Sequence, residues 1–463
     1  MKNTTFLIFL LLGGITVSAQ ELVNSVPLEP KKNRDVFQII DDEKNTVTLF
    51  VSDTEKVKAI NLNEKMQIID SISANKPNTT TTNVIGYNSS NTGTRLYWSS
   101  NNDENIFVQL YDFNNHKTTT NEYNLILKNE KVIQKFSENE KFYILAVLKN
   151  SNTFKLYVFD KEGIYTEKII PSEGFHFFTS DYKKSDLYEV FAENLLPFES
   201  PFSLENITIE NHTSLTKAAK KRKCYLNNKQ IVITVDTNID FTQVILIDLN
   251  NFTATEKMVK KPYLVGNRTF LNSNSFYFDN KLYQIKTSSG SFYFTIKDLE
   301  DNLIKEYFAN TTIPIKFKNS EIYEGGGNFR SKRTLPNSNL FILKANNMHL
   351  GLSCYQTVPN TLITFGGVSD LAQSTDQIDA VLNPKTEVLY PYSDRKLIKI
   401  EGLFDGHGNH VKGKLQPLAF EKISTFLEKN TDISSQTLFK TDAYYLGYYD
   451  NKTKEYVIRK FTD

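Results

Sequence analysis

The chain has 463 residues, with 54 Lys plus Arg against 53 Asp plus Glu and a formal net charge of +1 at pH 7. Loss of Lys2 with the N-terminal segment described next would leave a neutral mature chain. A neutral chain has no overall field to attract nucleic acid or an anionic membrane, so we expect no nucleic-acid partner. The length suits several modules or one large all-β domain.

The first 19 residues read as a secretory signal peptide. Lys2 gives a positive start, Phe6 to Val17 form an apolar core, and Val17-Ser18-Ala19 is a small-residue cleavage site, so we predict cleavage after Ala19. The apolar core is too short to cross a bilayer as a stable helix, and no second long apolar stretch follows. No cysteine follows the core to accept a lipid. The sequence therefore predicts an exported protein, periplasmic or extracellular, that is not a lipoprotein and has no transmembrane segment in its mature chain.

Short apolar runs dominate the rest of the chain and predict β-strands. They are rich in β-branched and aromatic residues and bounded by Asn, Asp, Gly, Lys or Ser. Examples are TVTLFV, FYILAVL, FKLYVF, IVITV, VILIDL, SFYFTI, NLFILK and AYYLGYY. Many are apolar at successive positions, which indicates burial on both faces. More charged strands such as IYTEKII, TATEKMV and NLIKEYF alternate with them and suit the outer positions of a sheet.

Turn residues recur at a rough period after the apolar strands. The gaps are about 48 residues or near multiples of that, the size of a four-stranded propeller blade. The residues are Asn61, Asp112, Asp160, Asp248, Asp298 and Asp450. The sequence thus predicts an all-β, seven- or eight-bladed β-propeller-like repeat of four-stranded sheets over residues 20–463.

Two stretches support this architecture by resemblance. LFVSDTEKVKAINL, from Leu49 to Leu62, resembles a blade of the YWTD or NHL type of β-propeller, and LYWSSNNDENIFV, from Leu96 to Val108, resembles it more loosely. The resemblance implies the architecture and carries over no functional residue.

Three stretches interrupt the repeat. Residues 211–223 and 314–337 are interpreted as insertions, and a short helix is predicted near 417–429. Its apolar positions at helical spacing are Leu418, Ala419, Ile423, Phe426 and Leu427. Because the repeat becomes irregular beyond about residue 310, a separate C-terminal β region from about residue 338 is the alternative to a single ring.

The two cysteines, Cys224 and Cys354, each share a strand face with apolar residues. We interpret them as small core residues, and a disulfide between them stays open as the alternative.

Two basic tracts are candidates for contact with a polyanion. They comprise Lys217, Lys220, Lys221, Arg222, Lys223, Arg330, Lys332 and Arg333. Neither carries interleaved aromatic residues, so solvated insertions are the favoured interpretation.

Two loops have weak metal-binding patterns. Asp236, Asn238 and Asp240 have the alternate-oxygen spacing of a calcium loop, but Phe241 stands where such a loop needs glycine. Asp405, His407 and His410 offer transition-metal ligands, although Asp-Gly is also a strong hairpin signal. We interpret both loops as turns and expect no metal and no cofactor.

No motif of a nucleophilic or metal-dependent enzyme occurs, so no catalytic residue is assigned. The favoured hypothesis is a non-catalytic binding protein of the bacterial envelope, whose partner is a protein or an envelope glycan. A propeller-type glycan hydrolase or lyase is the alternative, because carboxylates can converge from distant blades without leaving a sequence motif.

Overall fold

The computed structural model describes residues 20–27, 35–41, 44–77, 83–100, 104–138, 140–227, 229–264, 271–326, 329–370 and 395–463. Within these ranges the strands form seven sheets, numbered here 1 to 7 along the chain. The predicted signal peptide, residues 1–19, lies outside the described residues and stays a prediction.

The first three sheets are regular antiparallel four-stranded units. They follow an initial strand, β1 (Gln20–Pro27), that belongs to sheet 7. Sheet 1 comprises β2 (Asp35–Asp41), β3 (Thr46–Ser52), β4 (Lys56–Leu62) and β5 (Ile68–Asn75). Sheet 2 comprises β6 (Asn83–Ser90), β7 (Gly93–Ser99), β8 (Asn105–Asp112) and β9 (Lys117–Asn124). Sheet 3 comprises β10 (Glu130–Glu138), β11 (Lys141–Leu148), β12 (Thr153–Phe159) and β13 (Tyr165–Pro171).

Sheets 4 and 5 follow a long connection that carries two short helices. The helices are α1 (Leu187–Ala192) and α2 (Leu215–Ala218). Sheet 4 comprises β14 (Glu205–Ile207), β15 (Arg222–Asn227), β16 (Gln230–Val235), β17 (Phe241–Asp248) and β18 (Ala254–Lys260). Sheet 5 comprises β19 (Asn272–Phe278), β20 (Lys281–Ser288), β21 (Ser291–Asp298) and β22 (Leu303–Asn310).

Sheet 6 is irregular, and sheet 7 is completed from the other end of the chain. Sheet 6 comprises β23 (Ile322–Gly326), β24 (Phe329–Leu335), β25 (His349–Thr357), β26 (Asn360–Val368), β27 (Leu397–Phe404) and β28 (His410–Val411), with α3 (Ser338–Asn346) between its second and third strands. After α4 (Ala419–Lys429), sheet 7 comprises β29 (Ile433–Lys440), β30 (Tyr444–Asp450), β31 (Glu455–Phe461) and β1.

Apolar clusters join each sheet to the next and close the sheets into a ring. Both faces of the middle strands are buried because each face packs on a neighbouring sheet, and each large side chain buried in this way contributes about 1.5–3 kcal/mol. Representative residues are Leu49 with Tyr456 (sheets 1 and 7), Phe50 with Trp98 (1 and 2), Tyr97 with Phe142 (2 and 3), Leu145 with Ile233 (3 and 4), Val244, Phe294 and Phe365 (4, 5 and 6), and Leu362 with Leu446 (6 and 7). The chain therefore has the predicted β-propeller fold, with seven sheets in the described residues.

The ring is closed by strand β1. It pairs antiparallel with β31 from Gln20 opposite Phe461 to Pro27 opposite Glu455, with an irregularity between Leu22 and Asn24. The N-terminal strand thereby becomes the outermost strand of the last sheet, and the two ends of the described chain are held together by backbone hydrogen bonds.

The recurring aspartates make one kind of turn. Asp112, Asp160, Asp248 and Asp298 each lie at the end of the strand next to the outermost one, and a side-chain oxygen of each accepts backbone N–H groups two to four residues later. Short carboxylates favour such turns because they replace a backbone acceptor. The predicted repeat period therefore marks, in each of these sheets, the hairpin that leads to the outermost strand. As predicted, the charged strands β13, β18 and β22 are outermost in their sheets.

Helix α4 agrees with the prediction near 417–429. Its buried residues Ala419, Ile423, Phe426 and Leu427 pack with sheets 6 and 7, and the Asp463 carboxylate accepts the Ala419 N–H at 2.7 Å. That bond satisfies one of the backbone donors left free at a helix start.

The predicted insertion bounds are wrong in both places. The connection between β13 and β15 begins near residue 172, well before 211, and its end at 222–223 already belongs to β15. The segment 314–337 contains β23 and β24, which are strands of sheet 6. Sheet 6 draws strands from both sides of residue 338, because β27 pairs with β23 as well as β26. The division into one or two domains stays a prediction.

Both cysteines are buried and free, as their predicted place in the core implies. In the described part of the chain, no helix is long and apolar enough to span a bilayer.

Candidate functional site

A large cavity opens where the innermost strands of the sheets, those nearest the ring axis, end. Neighbouring sheets meet largely through these strands, β29 with β2, β6 with β10 and β19 with β25, so they surround the ring axis. The cavity has a volume of about 1160 Å³ and is called the vestibule below. Its wall includes Ile40 of β2, Tyr87 of β6, Phe136 of β10, Leu226 of β15 and Lys440 of β29.

The long connection before β15 forms the floor of the vestibule. Strand β14 pairs in parallel with β15 on the axial side of sheet 4, and residues 206–208 and 210–211 line the cavity. The Leu204 N–H donates to Ile133 O at 3.1 Å, and Lys440 Nζ donates to Glu210 O at 2.7 Å. The segment is thus tied to sheet 3 at one end and to sheet 7 at the other.

Uncharged polar side chains make up much of the wall. Among the described residues they are the amides Asn45, Asn206, Asn211, Asn227, Gln230 and Asn280 and the hydroxyl residues Tyr87, Ser137, Thr208 and Thr441. Amides carry both donors and acceptors, so they suit a ligand with many neutral hydrogen-bonding groups.

Two of the four carboxylates in the described wall are occupied by local structure. Asp248 accepts the Asn250 and Asn251 N–H groups in its turn. Lys460 donates to Asp442 at 2.6 Å and lowers the pKa of that carboxyl to about 2. A general acid or base works best with a pKa near the operating pH, so Asp442 is poorly suited to either role. The other two carboxylates, Glu138 at the end of β10 and Glu210 in the floor segment, also line the vestibule.

Lys440 is the cation at the floor. Its Nζ lies 5.1 Å from the Tyr355 ring centroid and 4.9 Å from that of Tyr444. Burial lowers the pKa of Lys440, whereas the nearby Asp463 carboxylate raises it. The contacts with the two rings and with Glu210 O hold the side chain against the floor.

His212 anchors the far end of the floor segment. Its ring stacks on Phe420 of α4 at 3.9 Å between centroids, and the backbone N–H of His212 donates to Tyr444 OH at 3.3 Å. Its Nε2 is buried without a hydrogen-bond partner in the described part of the chain. Burial, and to a lesser degree the Lys399 charge, lowers the pKa of His212 from 6.5 to about 3.

We expect this histidine to make the protein less stable in acid. Between pH 6.5 and about 3 the unfolded chain binds a proton at His212 that the folded chain does not, so stability is lost as the pH falls. The slope from this group is up to about 1.4 kcal/mol per pH unit. Denaturant unfolding of the wild type and of His212→Gln from pH 7 to pH 4 should show a shallower slope in the variant. Equal slopes would contradict the assignment.

Two residues of the first basic tract, Arg222 and Lys223, are buried and the other three are partly exposed, which corrects its interpretation as a solvated insertion. Arg222 has no exposed surface and pairs with buried Glu199 through Nε at 2.8 Å. Lys223 is equally buried and pairs with Asp236 at 3.2 Å. Lys217 and Lys220 pair with Glu205.

The second tract lies on β24 of sheet 6. Of its members Arg330, Lys332 and Arg333, the structure describes the side chain of Arg333, which is exposed and donates to Glu324 through Nε at 2.6 Å. Lys344 and Lys396 also pair with Glu324. The first tract runs from α2 into β15 of sheet 4, the second lies on β24 of sheet 6, and no described contact brings them together.

The loop 236–240 connects β16 to β17, as its interpretation as a turn requires. Asn238 Oδ1 accepts the Asp240 N–H at 2.8 Å. Asp236 differs from an ordinary turn residue, whose side chain faces solvent. Its carboxylate is fully buried and pairs with two lysines. Among the described residues there is no group of three or more His, Cys, Asp or Glu side chains placed to hold a metal.

The loop 405–410 is also a turn. Asp405 Oδ1 accepts the His407 and Asn409 N–H groups at 2.9 and 2.8 Å, and β27 pairs with β28 across it. His410 Nε2 lies 2.9 Å from Asn319 Oδ1. The Asp405 carboxylate and the His410 ring are therefore engaged in local hydrogen bonds.

Sequence reasoning missed the vestibule. Its polar residues come from strand ends, turns and the floor segment of several sheets, and most are Asn, Ser, Thr or Lys residues of ordinary turns. The only signal in the sequence was that these residues follow an apolar strand. That position does not show whether the strand end lies near the ring axis or elsewhere in the sheet.

No protein-family model matches the chain, and no curated protein matches it either. Among solved structures, the Nup133 β-propeller domain of Vanderwaltozyma polyspora aligns with a TM-score of 0.34 and 11% identity, covering 96% of this chain and 100% of that one. The β-propeller domain of the trilobed protease from Pyrococcus furiosus aligns with a TM-score of 0.32 and 8% identity, covering 93% of both chains.

An ACO/RPE65 chimera aligns with a TM-score of 0.32 and 8% identity over 62% of this chain and 64% of that chain, so the match spans less than two thirds of the chimera. Scores this low carry no argument about function. The fold follows from the strand pairing and the apolar clusters.

Proposed function

We propose that the protein is an exported, non-catalytic binding protein of the bacterial envelope that holds a protein or glycan partner at the vestibule. The observation that carries this proposal is the wall of the vestibule, in which neutral amides and hydroxyls outnumber charged groups among the described residues. Such a wall offers many hydrogen bonds and little of the shifted acid–base chemistry that a hydrolase needs.

Export is supported by the N-terminal sequence. The predicted cleavage after Ala19 falls directly before Gln20, the first residue of β1. Cleavage there would leave β1, the closing strand of the ring, as the structure describes it.

A glycan hydrolase or lyase is the second candidate, because Glu138 and Glu210 both line the vestibule. Hydrolysis of a glycosidic bond commonly uses two carboxyl groups, one of them with a raised pKa.

Two parallel assays separate these functions. The mature protein is incubated with a panel of envelope and plant glycans while products are measured, and a tagged copy is used to recover partners from envelope extract. We expect a specific partner and no product. Reproducible depolymerisation that is lost in Glu138→Gln or Glu210→Gln would contradict the proposal.

The vestibule is tested by a matched pair of variants. Asn206→Ala removes an amide from the floor, whereas Asn121→Ala removes an exposed amide from the outermost strand of sheet 2. Loss of a hydrogen bond to the partner should weaken binding by about tenfold in Asn206→Ala. Asn121→Ala should bind like the wild type. Equal binding by all three proteins would exclude this part of the vestibule.

A further inference from the structure

Four lysines gather on the opposite side of the ring from the vestibule, where β15 and β19 begin. Lys223 and Lys261 both bind the Asp236 carboxylate, at 3.2 and 2.9 Å. Lys221 Nζ donates to Ser273 O at 2.7 Å, and Lys261 Nζ donates to Ser273 Oγ at 3.1 Å. These shared partners gather the three ammonium groups around Asp236 and Ser273.

The fourth lysine is Lys286, which stands directly opposite Ser273 in the β19–β20 ladder. Its Nζ lies 3.2 Å from Asp240 Oδ1. Lys221, Lys223, Lys261 and Lys286 are called the lysine cluster below.

The lysine cluster carries more positive than negative charge. Of the described carboxylates, Asp236 and Asp240 bind its ammonium groups, while nearby Glu199 is paired with Arg222. Four ammonium groups therefore face two carboxylates. The side chains of Lys223 and Lys261 have no exposed surface. Excess charge of one sign in a buried site is costly unless a counter-charge is bound or a proton is lost.

The geometry also leaves donors free at one edge of the lysine cluster. An ammonium group has three N–H donors. In the described part of the chain, Lys221 Nζ makes one hydrogen bond, to Ser273, and Lys286 Nζ makes one, to Asp240. This edge opens to solvent through Lys221, which is partly exposed, and through the Asp240 side chain, which is 42% exposed, whereas the Lys286 side chain beside them is only 2% exposed.

We propose that the lysine cluster binds an oxyanion, a sulfate or phosphate group, at the edge formed by Lys221 and Lys286. The group is either the free ion or an ester carried by a glycan. Spare ammonium donors provide charge-assisted hydrogen bonds to its oxygens, and its negative charge offsets the excess on the lysines. This site is separate from the vestibule and independent of the function proposed there.

The pKa of Lys221 agrees with an excess of positive charge in the lysine cluster. Burial, followed by the ammonium groups of Lys261 and Lys223, lowers the pKa of Lys221 to about 8. An anion bound beside it would raise that pKa again.

The test measures sulfate binding to the whole mature protein by calorimetry and by the melting temperature, at constant ionic strength with sodium chloride as the reference salt. We expect a saturable rise of the melting temperature with sulfate and not with chloride. Lys221→Gln and Lys286→Gln should each weaken sulfate binding by about tenfold or more. Lys257→Gln, a partly exposed lysine of β18 that pairs with Glu300, should leave sulfate binding unchanged.

A further variant separates anion binding from a merely structural role. Asp240→Asn removes a carboxylate from the edge and increases the positive excess, so it should tighten sulfate binding. Without sulfate, Lys221→Gln should be at least as stable as the wild type, because it relieves repulsion. No saturable response in the wild type, or an unchanged response in Lys221→Gln, would overturn the proposal.

The source of the anion is decided by comparing inorganic sulfate and phosphate with a sulfated oligosaccharide. Tighter binding of the oligosaccharide per sulfate group assigns the site to a glycan ester. Equal or weaker binding assigns it to the free ion.

Discussion

Replacing Asp236 with asparagine is expected to lower the free energy of unfolding by about 3–5 kcal/mol. The Asp236 carboxylate has no exposed surface, and it accepts hydrogen bonds from Thr242 and Ser275 besides those from Lys223 and Lys261. Burial alone would raise the pKa of this carboxyl, but the two ammonium groups hold it below its usual range. The variant would leave both lysines charged and buried without their partner.

Denaturant unfolding measures this loss, and Asp432→Asn is the matched control. Asp432 pairs with Lys452 at 2.8 Å, but both side chains are largely exposed. Exposed ion pairs contribute about 0–1 kcal/mol, so the control should lose little. A similar small loss in both variants would show that the buried network does not stabilise the fold.

Removing β1, by starting the mature chain at residue 28, is expected to cost at least about 3 kcal/mol. Strand β1 forms a ladder with β31, and each lost backbone hydrogen bond contributes roughly 0.5–1.5 kcal/mol. The loss also exposes the outer edge of β31, where Tyr456 and Ile458 are fully buried in sheet 7.

A synthetic peptide of residues 20–27 provides the control for this truncation. Added to the truncated protein, it should raise the melting temperature as its concentration increases, because it binds the folded chain at the vacated edge. A scrambled peptide should have no effect. A truncated protein as stable as the wild type would show that the ring does not depend on β1.

The sequence predicted the architecture because the features of a propeller strand are visible in the residues of that strand and of the turn that follows it. Runs such as FYILAVL are apolar at successive positions, and that pattern needs a neighbour on both faces. Asp112, Asp160, Asp248 and Asp298 mark the same hairpin in four sheets because each carboxylate replaces a backbone acceptor. Helix α4 was found from its apolar spacing, which needs no knowledge of what it packs against.

The buried charges could not be predicted, because their partners are distant along the chain. Lys223 was placed in a solvated tract since its sequence neighbours are basic, and its environment is set by Asp236 and by Asn274, which accepts a hydrogen bond from Lys223 at 2.7 Å. Sheet 6 departs from the repeat for a similar reason: β27 pairs with β23, a strand that precedes it by about 70 residues.

The candidate site was also beyond local reasoning. The vestibule joins residues from the ends of β2, β10, β15 and β29 to the floor segment, and no sequence spacing connects these positions. Carboxylates that converge from distant blades leave no sequence motif, so the composition of the wall could be established only from the folded ring.

Hydrogen–deuterium exchange of the mature protein, with and without its recovered partner or bound glycan, tests the central claim that the vestibule is the binding site. We predict that protection is concentrated at residues 206–211 and at the ends of β2, β10, β15 and β29, with no change in the ligand after incubation. Protection confined to the outermost strands β13, β18 and β22, or conversion of the ligand to product, would contradict the account.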